Sequence, residues 1–399
     1  MKIFLNLLAA TAGGQISRAR AFLDRFPFYA PNDELIVCKE RDVLADYISL
    51  PGRQVIDVPI GLGKLKAIRR TCWENMIMPT IVHQHAADLY LTFSHYLPQT
   101  LTNSLPSVVG VSNLAPFSRA AQESEAWPTK LKMAVLRRTI GSSCQRATRV
   151  LALSETCRNV LTGCGIPIEK ISVASNGVDA YWSEKVPASD FAGQNGISRP
   201  FILYVSHFHR YKNHRRLIEA YSRLQPSIRK KYQLVLVGKP YDHACYQDIR
   251  ALVDRLVLSD DVILVPGVDG ENLRKFYQLA RLFVFPSLIE NSPNILLEAM
   301  MAGAPVAASN CPPMPEFGGD AISYFDPLVV STIAEAIERL LEDQSSLERM
   351  RPRSREQAGR YSWDVFVPVV IELCQSAIVQ HRLNAEAHIS ARSSTKETT

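Results

Sequence analysis

The sequence predicts an α/β protein made of two domains, each built around a parallel sheet. Short apolar runs of strand type alternate with longer stretches of helical spacing, which is the pattern of βαβ units. The chain has 399 residues, too many for one ordinary core and suitable for two domains of Rossmann size. A polar stretch without periodicity, residues 183–199, separates the two series and predicts an interdomain linker.

The elements of the first half follow from its apolar runs. A strand at 1–8 leads into a turn at Gly13-Gly14 and a helix at 16–26. Further strands are predicted at 35–38, 55–58, 88–93, 107–111 and 150–153, with a basic helix at 64–78. Residues 2–12 also have the charge and apolar stretch of a short signal peptide. Because Asn6 interrupts that run and the glycine turn follows it, we expect a buried first strand.

The second half alternates more regularly. Strands are predicted at 201–205, 233–237, 262–265, 282–285 and 305–308, and helices at 213–224, 246–256, 271–279 and 293–301. The domains are therefore assigned to residues 1–180 and 201–360, with the linker at 181–200. The polar, Ser/Thr-rich end of the chain, residues 383–399, predicts a disordered tail.

The composition is that of a globular protein with a mild basic excess. Hydrophobic residues make up 47% and charged residues 21%, and the formal net charge of +6 fits phosphate-bearing or acidic-lipid partners without requiring them. No apolar run approaches the roughly 18–20 residues of a membrane span. The cysteines are scattered without a C-x-x-C pair, which predicts reduced thiols and a cytoplasmic protein. No D-x-D triplet occurs, so we expect no metal ion and no cofactor.

The most informative segment runs from Phe285 to Gly303. A strand leads into a polar loop and then a helix, with Ser292 as the predicted N-cap, Pro293 in the first helical position and Gly303 at the end. The N-terminus of this helix presents unsatisfied N–H groups and a positive partial charge at the carboxyl end of a strand. This arrangement predicts a diphosphate site.

Polar side chains share one narrow face of this otherwise apolar helix. Helical spacing puts Asn291, Asn294 and Glu298 on that face. A carboxylate on so apolar a helix needs a partner, and we expect Glu298 to accept hydrogen bonds from ribose hydroxyls. The alternative is a solvated glutamate on a surface helix. Glu290, in the loop ahead of the helix, is expected to face the sugar. Three residues of the first helical turn complete the predicted donor site: Asn294, Ile295 and Leu296.

At this segment the sequence resembles glycosyltransferase family 4, the large group of retaining enzymes with GT-B architecture. The E-x7-E pair, Glu290 and Glu298, is followed by the family's Ala-Met-x-Ala-Gly-x-Pro-Val run. Pro315-Glu316, Gly319-Asp320 and Asp326-Pro327 follow in the family's order. The resemblance covers most of residues 1–380. It implies two Rossmann-like domains facing across a cleft, transfer with retention of configuration, and an oxocarbenium-like displacement on one face of the sugar.

Other segments are similar to parts of the family that bind the donor diphosphate. Tyr204–Asn213 resembles the segment that carries an Arg and a Lys for this group. Lys212 matches the Lys, His207 stands where the Arg usually lies, and Arg210 is a candidate to compensate. Gly13-Gly14 resembles the glycine loop of the first domain, which lets the backbone approach the donor phosphates. The resemblance therefore makes Lys212 and Glu290 the expected catalytic residues.

The resemblance also bears on the first domain and on the last helix. Residues 108–117 resemble the segment where many members place an active-site His, but here the equivalent is Ser112. The nearby His83, His85 and His95 are read as structural residues. A helix at 361–382, anchored by apolar residues from Trp363 to Leu373, is expected to cross back to the first domain, as in the family.

Two basic stretches, 64–70 and 130–138, belong to the first half. The second is partly amphipathic, which fits either a solvated charged face or docking on an anionic membrane surface. In the family the first domain usually receives the acceptor, often a lipid-linked sugar. This places the expected site of action in the cytoplasm, with peripheral binding at the inner membrane face as an option.

The expected function is transfer of a hexose from a nucleotide-diphosphate sugar to a saccharide or lipid-linked saccharide, with no nucleic acid as partner. Mannose is the expected sugar from resemblance to surface-polysaccharide enzymes, with UDP-linked sugars close behind. One alternative is a sugar-nucleotide epimerase of the same architecture, against which the E-x7-E pair argues. A catalytically silent nucleotide-sugar-binding protein is the other, because His207 and Ser112 depart from the family pattern.

Overall fold

The chain forms two compact units, each with its own parallel sheet. The computed structural model describes residues 1–10, 13–61, 63, 65–101, 104–187 and 191–396, with only the backbone at 192 and 388–396. The first unit comprises Met1–Asn113, Ala134–Gly177 and the chain from Trp363 onward. The second comprises Leu114–Met133 and Val178–Ser362.

The strands follow the predicted alternation. In chain order they are β1 (Lys2–Asn6), β2 (Glu34–Glu40), β3 (Arg53–Val58), β4 (Leu89–Thr92), β5 (Ser107–Gly110), β6 (Arg149–Ala152), β7 (Ile171–Val173), β8 (Phe201–Val205), β9 (Gln233–Val237), β10 (Val262–Val265), β11 (Leu282–Phe285), β12 (Val306–Ser309) and β13 (Ser323–Phe325). Of these, β7 and β13 were not predicted from the sequence, because three-residue strands leave too short an apolar run.

Helices connect the strands and cover the sheets. They are α1 (Gly14–Tyr29), α2 (Lys66–Met76), α3 (Met78–Gln84), α4 (Arg119–Ser124), α5 (Trp127–Arg146), α6 (Glu155–Gly163), α7 (Phe191–Gln194), α8 (His214–Arg223), α9 (Pro226–Lys231), α10 (His243–Arg255), α11 (Gly270–Leu279), α12 (Asn294–Met301), α13 (Met314–Gly318), α14 (Val330–Glu342), α15 (Gln344–Gly359) and α16 (Trp363–Lys396). The basic helix predicted at 64–78 corresponds to α2, and Lys64 lies outside the described residues.

The seven-stranded sheet of the first unit has the order β3-β2-β1-β4-β5-β6-β7, and its strand pairs are parallel. The chain runs from β1 outward to β3, and then returns to β4 on the other side of β1. The strand order therefore reverses between β1 and β4. In open parallel sheets, ligands bind outside the carboxyl ends of the strands at such a switch point.

The six-stranded sheet of the second unit follows the same plan. Its order is β10-β9-β8-β11-β12-β13, again with parallel pairs. Here the order reverses between β8 and β11. All five strand residues of β8 and of β9 are buried, as expected for parallel strands covered on both faces.

The last helix, α16, packs into the core of the first unit. Trp363, Phe366 and Val370 lie in the cluster that also contains Ile3 of β1, and the rings of Phe93 and Phe366 are 6.1 Å apart. The helix predicted from 361 thus begins two residues later. It continues to Lys396, through most of the segment that the sequence suggested as a disordered tail.

One helical stretch is long and apolar enough to meet a simple criterion for a membrane span. Gln344–Ala387 contains an 18-residue window of mean hydropathy 1.5, with 44% of that window buried. The sequence analysis expected no such window. A helix in the core of a globular protein meets the same criterion.

Candidate functional site

An ion pair lies at the switch point of the second sheet. Lys212 Nζ is 2.6 Å from Glu290 Oε1, and the two side chains are only 13% and 14% exposed. Lys212 belongs to the loop after β8, and Glu290 to the loop after β11. The two predicted catalytic residues are therefore in direct contact at the switch point, the place where open parallel sheets bind their ligands.

The loop of Lys212 is fixed by hydrogen bonds to its neighbours. Asn213 adopts a left-handed conformation with φ of 63°, which asparagine tolerates better than most residues. Its buried side-chain amide donates to the carbonyls of Pro286 and Pro327 at 3.1 and 2.8 Å. The Tyr204 hydroxyl donates to the Lys212 carbonyl at 2.7 Å. The amide of Asn213 thus ties the loop after β8 to the segments that follow β11 and β13.

The charge of Lys212 is maintained by its partner. Burial alone would lower the pKa of Lys212, but the negative charge of Glu290 outweighs it and holds the pKa above the usual value for lysine. The ammonium group also lies 5.3 Å from the centre of the Tyr211 ring, within the range of a cation–π contact. Lys212 is therefore a cation at neutral pH, as electrostatic stabilisation of a diphosphate requires.

Glu298 has the partner that the sequence analysis required but could not name. The hydroxyl of Tyr277, on α11, donates to Glu298 Oε2 at 3.3 Å. Burial raises the pKa of Glu298 to about 8; this hydrogen bond lowers it, and the charge of Asp179 adds to the rise. An unliganded Glu298 is thus largely protonated at neutral pH. No signal in the sequence identified Tyr277, because the contact joins two helices.

The helix that follows Glu290 begins one residue later than predicted. Its N-cap residue is Pro293, with no side-chain capping bond, so Ser292 is not the N-cap. The proline adopts φ of −80° and ψ of 81°, which is not helical. The N–H groups of Ile295 and Leu296 lie in the first turn and donate to no acceptor that the structure describes. They are available to an anion.

The far end of this helix matches the prediction. Gly303 has a φ of 79°, and its N–H donates to Met300 while that of Ala304 donates to Ala299. A Cβ at Gly303 would also lie 2.4 Å from the guanidinium of Arg355. The left-handed turn favours glycine here, whereas the Arg355 side chain is flexible and could move away.

His207 does not replace the missing cation. Burial, followed by the positive charge of Lys212, lowers the pKa of His207 to about 4, so the imidazole is neutral at pH 7. Its Nδ1 accepts a hydrogen bond of 3.4 Å from the backbone N–H of Lys239, and its ring packs edge-on against Tyr241. The side chain at this position is therefore neutral because of burial, which the sequence alone does not show.

Arg210, the candidate to compensate for His207, forms an ion pair with another residue. Its guanidinium lies 2.6 Å from the carboxylate of Asp248, on α10. Both residues line a cavity of about 390 Å³ beside the start of α8, together with His209 and Glu219. The charge of Arg210 is therefore largely matched within the protein.

A segment from the earlier half of the chain packs against the Lys212–Glu290 loops. Ala115, Ala121 and Met133 form a small apolar cluster with Tyr211 and Ile289, the residues that precede Lys212 and Glu290. Sequence reasoning missed this contact, since nothing in a local pattern links residues so far apart. The segment is part of the second unit and supports its site directly.

Glu125 adds a polar contact to this packing. Its carboxylate is buried, which raises its pKa, and the backbone N–H of Tyr211 lies near enough to lower that pKa in part. The carbonyl of Tyr211 in turn accepts from the N–H of Leu288 at 3.0 Å. Tyr211 is thus held on both sides of its backbone, directly ahead of Lys212.

The glycine turn of the first unit lies where it was predicted. Gly13 has a φ of 57° and precedes α1, and a Cβ on it would meet no atom within 4 Å. The glycine is therefore needed for its backbone conformation, with open space beside it. Gly14 is the first residue of α1, and the two residues before Gly13 lie outside the described residues.

Ser112, at the position where the family often has histidine, is held by hydrogen bonds. Its hydroxyl donates to the carbonyl of Phe93 and accepts from Arg18 Nη1 at 2.8 Å. Among the nearby histidines, His95 is half-buried, and its desolvation lowers its pKa to about 4. Within the part of the chain that the structure describes, no group of three His, Cys, Asp or Glu side chains could hold a metal ion.

Comparison with known families identifies the chain. The family model described as Glycosyltransferase Family 4 matches residues 29–181, and that described as Glycosyl transferases group 1 matches residues 189–357. The chain belongs to the group 1 glycosyltransferases of GT-B architecture. The second match contains Lys212, Glu290 and Glu298, and the first contains Ser112.

Relatives with assigned functions are similar over part of their length. The O-antigen chain mannosyltransferase B of Escherichia coli is 34% identical over 166 residues, which is 41% of this chain and 42% of that protein. The serotype-specific mannosyltransferase WbdA of the same species is 27% identical over 229 residues, 55% of this chain and 28% of that protein. The chain thus matches less than two thirds of the length of these relatives.

Solved structures share the fold along nearly the whole chain. A sucrose-phosphate synthase from Thermosynechococcus elongatus has a TM-score of 0.71 at 18% identity, covering 98% of this chain and 100% of that one. Anabaena Alr3699/HepE, solved with UDP-glucose, has a TM-score of 0.72 at 16% identity, covering 94% and 100%. WaaG, a glycosyltransferase of lipopolysaccharide biosynthesis, has a TM-score of 0.69 at 19% identity, covering 95% and 99%. At these identities the likeness establishes the GT-B fold.

Proposed function

We propose that the protein transfers a hexose, with retention of configuration and without a metal ion, from a nucleoside-diphosphate sugar to an acceptor hydroxyl. The observation that carries this proposal is the buried Lys212–Glu290 ion pair at the switch point of the second sheet, in the loops that lead into α8 and α12. Mannose is the proposed sugar, because two relatives are named as mannosyltransferases.

The charge on the leaving diphosphate has two sources of stabilisation in this proposal. Lys212 supplies a fixed cation, and the N–H groups of Ile295 and Leu296 supply oriented dipoles at the start of α12. Negative charge on the diphosphate grows as the bond from the sugar C1 to the phosphate oxygen breaks. Groups that are already in place stabilise this charge without reorganising, which lowers the barrier.

The reaction then proceeds on one face of the sugar. The acceptor oxygen forms the new bond to C1 on the side from which the diphosphate departs, and the acceptor proton passes to the departing phosphate oxygen. Glu290 holds Lys212 in place and is directed at the sugar hydroxyls, while Glu298 binds the ribose. A same-face displacement of this kind needs no covalent intermediate on either glutamate.

The acceptor is proposed to be a saccharide or lipid-linked saccharide that the protein meets at the inner face of a membrane. Helix α5 supports this, since Trp127, Leu131 and Val135 recur at four-residue spacing and are 74%, 54% and 61% exposed. Exposed basic side chains flank this stripe: Lys130, Lys132, Arg137 and Arg138. An apolar stripe bordered by cations suits an anionic lipid surface.

Donor turnover in the presence of EDTA tests the proposed activity. Purified protein is incubated with GDP-mannose, and in parallel with UDP-glucose and UDP-N-acetylglucosamine, and release of nucleoside diphosphate is followed. We expect slow hydrolysis of one donor that survives chelation, with GDP-mannose preferred. Complete loss with EDTA and recovery with Mg²⁺ or Mn²⁺ would contradict metal independence. Binding without any turnover, with or without acceptor saccharides, would favour a silent nucleotide-sugar-binding protein.

A further inference from the structure

A buried guanidinium lies at the carboxyl edge of the first sheet. Arg18, in the second turn of α1, is 3% exposed. Its Nε donates to Asn176 Oδ1 at 2.7 Å and its Nη1 donates to Ser112 Oγ at 2.8 Å. The group also lies 5.8 Å from the centre of the Phe93 ring. The partners of this cation are all neutral.

These four residues meet at the switch point. Arg18 lies on the helix that follows β1, Phe93 directly follows β4, and these are the two strands between which the order reverses. Ser112 follows β5 and Asn176 follows β7. All four thus lie beyond the carboxyl ends of parallel strands, where ligands of such sheets bind.

Arg18 lacks a counter-ion. No Asp or Glu that the structure describes lies within ion-pair distance of it, and its Nη2 donates to no described acceptor. Burial lowers the pKa of Arg18 to about 9, so the group remains charged at neutral pH. Burying a charge without a partner is costly, and a neutral side chain could make the same two hydrogen bonds. The positive charge therefore has a use that the contacts within the protein do not explain.

The second unit has a cation at the switch point of its own sheet, and that cation is paired with a carboxylate. There Lys212, in the loop that follows β8, has Glu290 within 2.6 Å across the switch point. Arg18, on the helix that follows β1, has no Asp or Glu within ion-pair distance among the residues that the structure describes. A planar guanidinium whose remaining nitrogen has no acceptor is suited to bind a tetrahedral oxyanion through paired hydrogen bonds.

We propose that Arg18 binds a phosphate group at the switch point of the first unit, with Asn176 and Ser112 orienting its guanidinium. The ligand is taken to be a substrate of the proposed transfer reaction, and to that extent this inference rests on it. The phosphate belongs either to the diphosphate of the donor or to a phosphorylated acceptor. Either source supplies the negative charge that no described Asp or Glu places beside Arg18.

Binding of simple phosphates to the full chain tests the proposal. The probes are inorganic pyrophosphate, GDP and UDP, titrated calorimetrically at constant ionic strength. The variants are Arg18→Met and Arg18→Lys, with Arg20→Gln as the matched control. Arg20 lies on the same helix, but is exposed and paired with Asp46. Lys212→Met removes the cation of the second unit, so that the pyrophosphate binding that remains reports on the first.

We expect Lys212→Met to retain part of the pyrophosphate binding, and Arg18→Met to weaken it at least ~10-fold, the loss typical of one charged hydrogen-bonding group. Arg18→Lys should lie between, and Arg20→Gln should match wild type. If Arg18→Met also weakens GDP or UDP binding, the phosphate is that of the donor. Pyrophosphate is also titrated in the presence of saturating nucleoside diphosphate. If Arg18→Met weakens only this remaining pyrophosphate binding, the phosphate is that of the acceptor. Unchanged binding of all three probes by a folded Arg18→Met would overturn the proposal.

Thermal unfolding separates this role from a structural one. A purely structural arginine would be needed for folding, so Arg18→Met would lower Tm and phosphate would not matter. Under the proposal, phosphate raises the Tm of wild type by binding the native state, and this rise is smaller for Arg18→Met. A large fall in Tm of Arg18→Met together with an equal phosphate effect in both proteins would support the structural role and overturn ours. If phosphate binding depends on Arg18 but wild type turns over no donor, the proposed function fails and the phosphate site remains.

Discussion

The Tyr277 hydroxyl donates a hydrogen bond of 3.3 Å to Glu298 Oε2, and this contact joins α11 to α12. Burial raises the pKa of Glu298 to about 8. Below that pH the carboxyl group is mostly protonated and cannot accept two hydrogen bonds from a ribose as well as its ionised form can. Binding of a nucleotide is therefore coupled to loss of a proton.

This coupling predicts a pH-dependent affinity for nucleoside diphosphate. Ribose hydroxyls stabilise the ionised form of Glu298, so the dissociation constant should fall as pH rises from 7 toward about 8, by at most ~10-fold per pH unit, and then level off. Titration calorimetry between pH 7 and 9 measures this, and the heat should change with the ionisation enthalpy of the buffer. A flat profile in wild type would show that Glu298 does not contact the nucleotide.

Two variants provide the controls for this pH dependence. Glu298→Gln cannot ionise, so its affinity should be weaker and independent of pH. Tyr277→Phe removes a hydrogen bond that lowers the pKa of Glu298, so the midpoint of the profile should move to higher pH. If Tyr277→Phe left the midpoint unchanged while Glu298→Gln abolished the dependence, the hydrogen bond would have no effect on the titration.

The Lys212–Glu290 pair predicts a division between turnover and binding. Lys212→Ala removes the cation that meets the growing charge on the diphosphate, and kcat should fall by about 10²–10³-fold. Glu290→Gln should reduce turnover of the sugar donor but leave binding of free nucleoside diphosphate nearly intact. Steady-state kinetics and diphosphate titrations measure the two effects. Loss of diphosphate binding in Glu290→Gln but not in Glu298→Gln would mean that the two glutamates have been assigned the wrong way round.

Glu125 is predicted to position Lys212 through Tyr211. Glu125→Ala removes the carboxylate that lies beside the Tyr211 N–H, and small displacements of a catalytic group are costly, so kcat should fall by about 10- to 100-fold with little change in KM for the donor. Glu125→Gln keeps an acceptor oxygen and should restore most of the activity. Glu123→Ala is the matched control, since Glu123 lies on α4 two residues ahead of Glu125, is exposed and pairs only with Arg119 in the described contacts. Equal kcat in all three variants would rule out the positioning role.

The exposed stripe of α5 predicts binding to anionic vesicles. Wild type should bind phosphatidylglycerol vesicles at low salt and dissociate as salt is added, because exposed charges are screened. Changing both Trp127 and Leu131 to Ser should abolish the binding. Val257→Ser is the control, because Val257 is 87% exposed but lies on another part of the chain. Binding to neutral vesicles of equal strength, or no loss in the double variant, would contradict the assignment.

The sequence predicted the regular part of the fold closely. Strands β8, β9 and β11 have the predicted bounds, and all of their residues are buried. The start of α12 was misplaced by one residue, because Pro293 takes a non-helical conformation that its identity does not dictate. Local patterns are reliable where burial covers both faces of a strand, and less so where a terminus depends on a single dihedral angle.

The site was predicted in its charged residues but not in their surroundings. Lys212 and Glu290 followed from a motif, and the structure brings them together. The neutral state of His207 and the roles of Tyr277 and Glu125 depend on burial and on contacts between distant segments. Such properties arise from tertiary packing, and no periodic pattern in the sequence indicates them.

The division of the chain between its two units has a consequence for its synthesis. Trp363 and Phe366 of α16 are 2% and 0% exposed in the core of the first unit. When residues 1–177 have been synthesised, the strands of this unit are therefore present, but the helix that covers part of its sheet is not. Until residue 363 and its successors emerge, that apolar surface is open to chaperones or to other nascent chains. The first unit is completed last, although it contains the earlier half of the polypeptide.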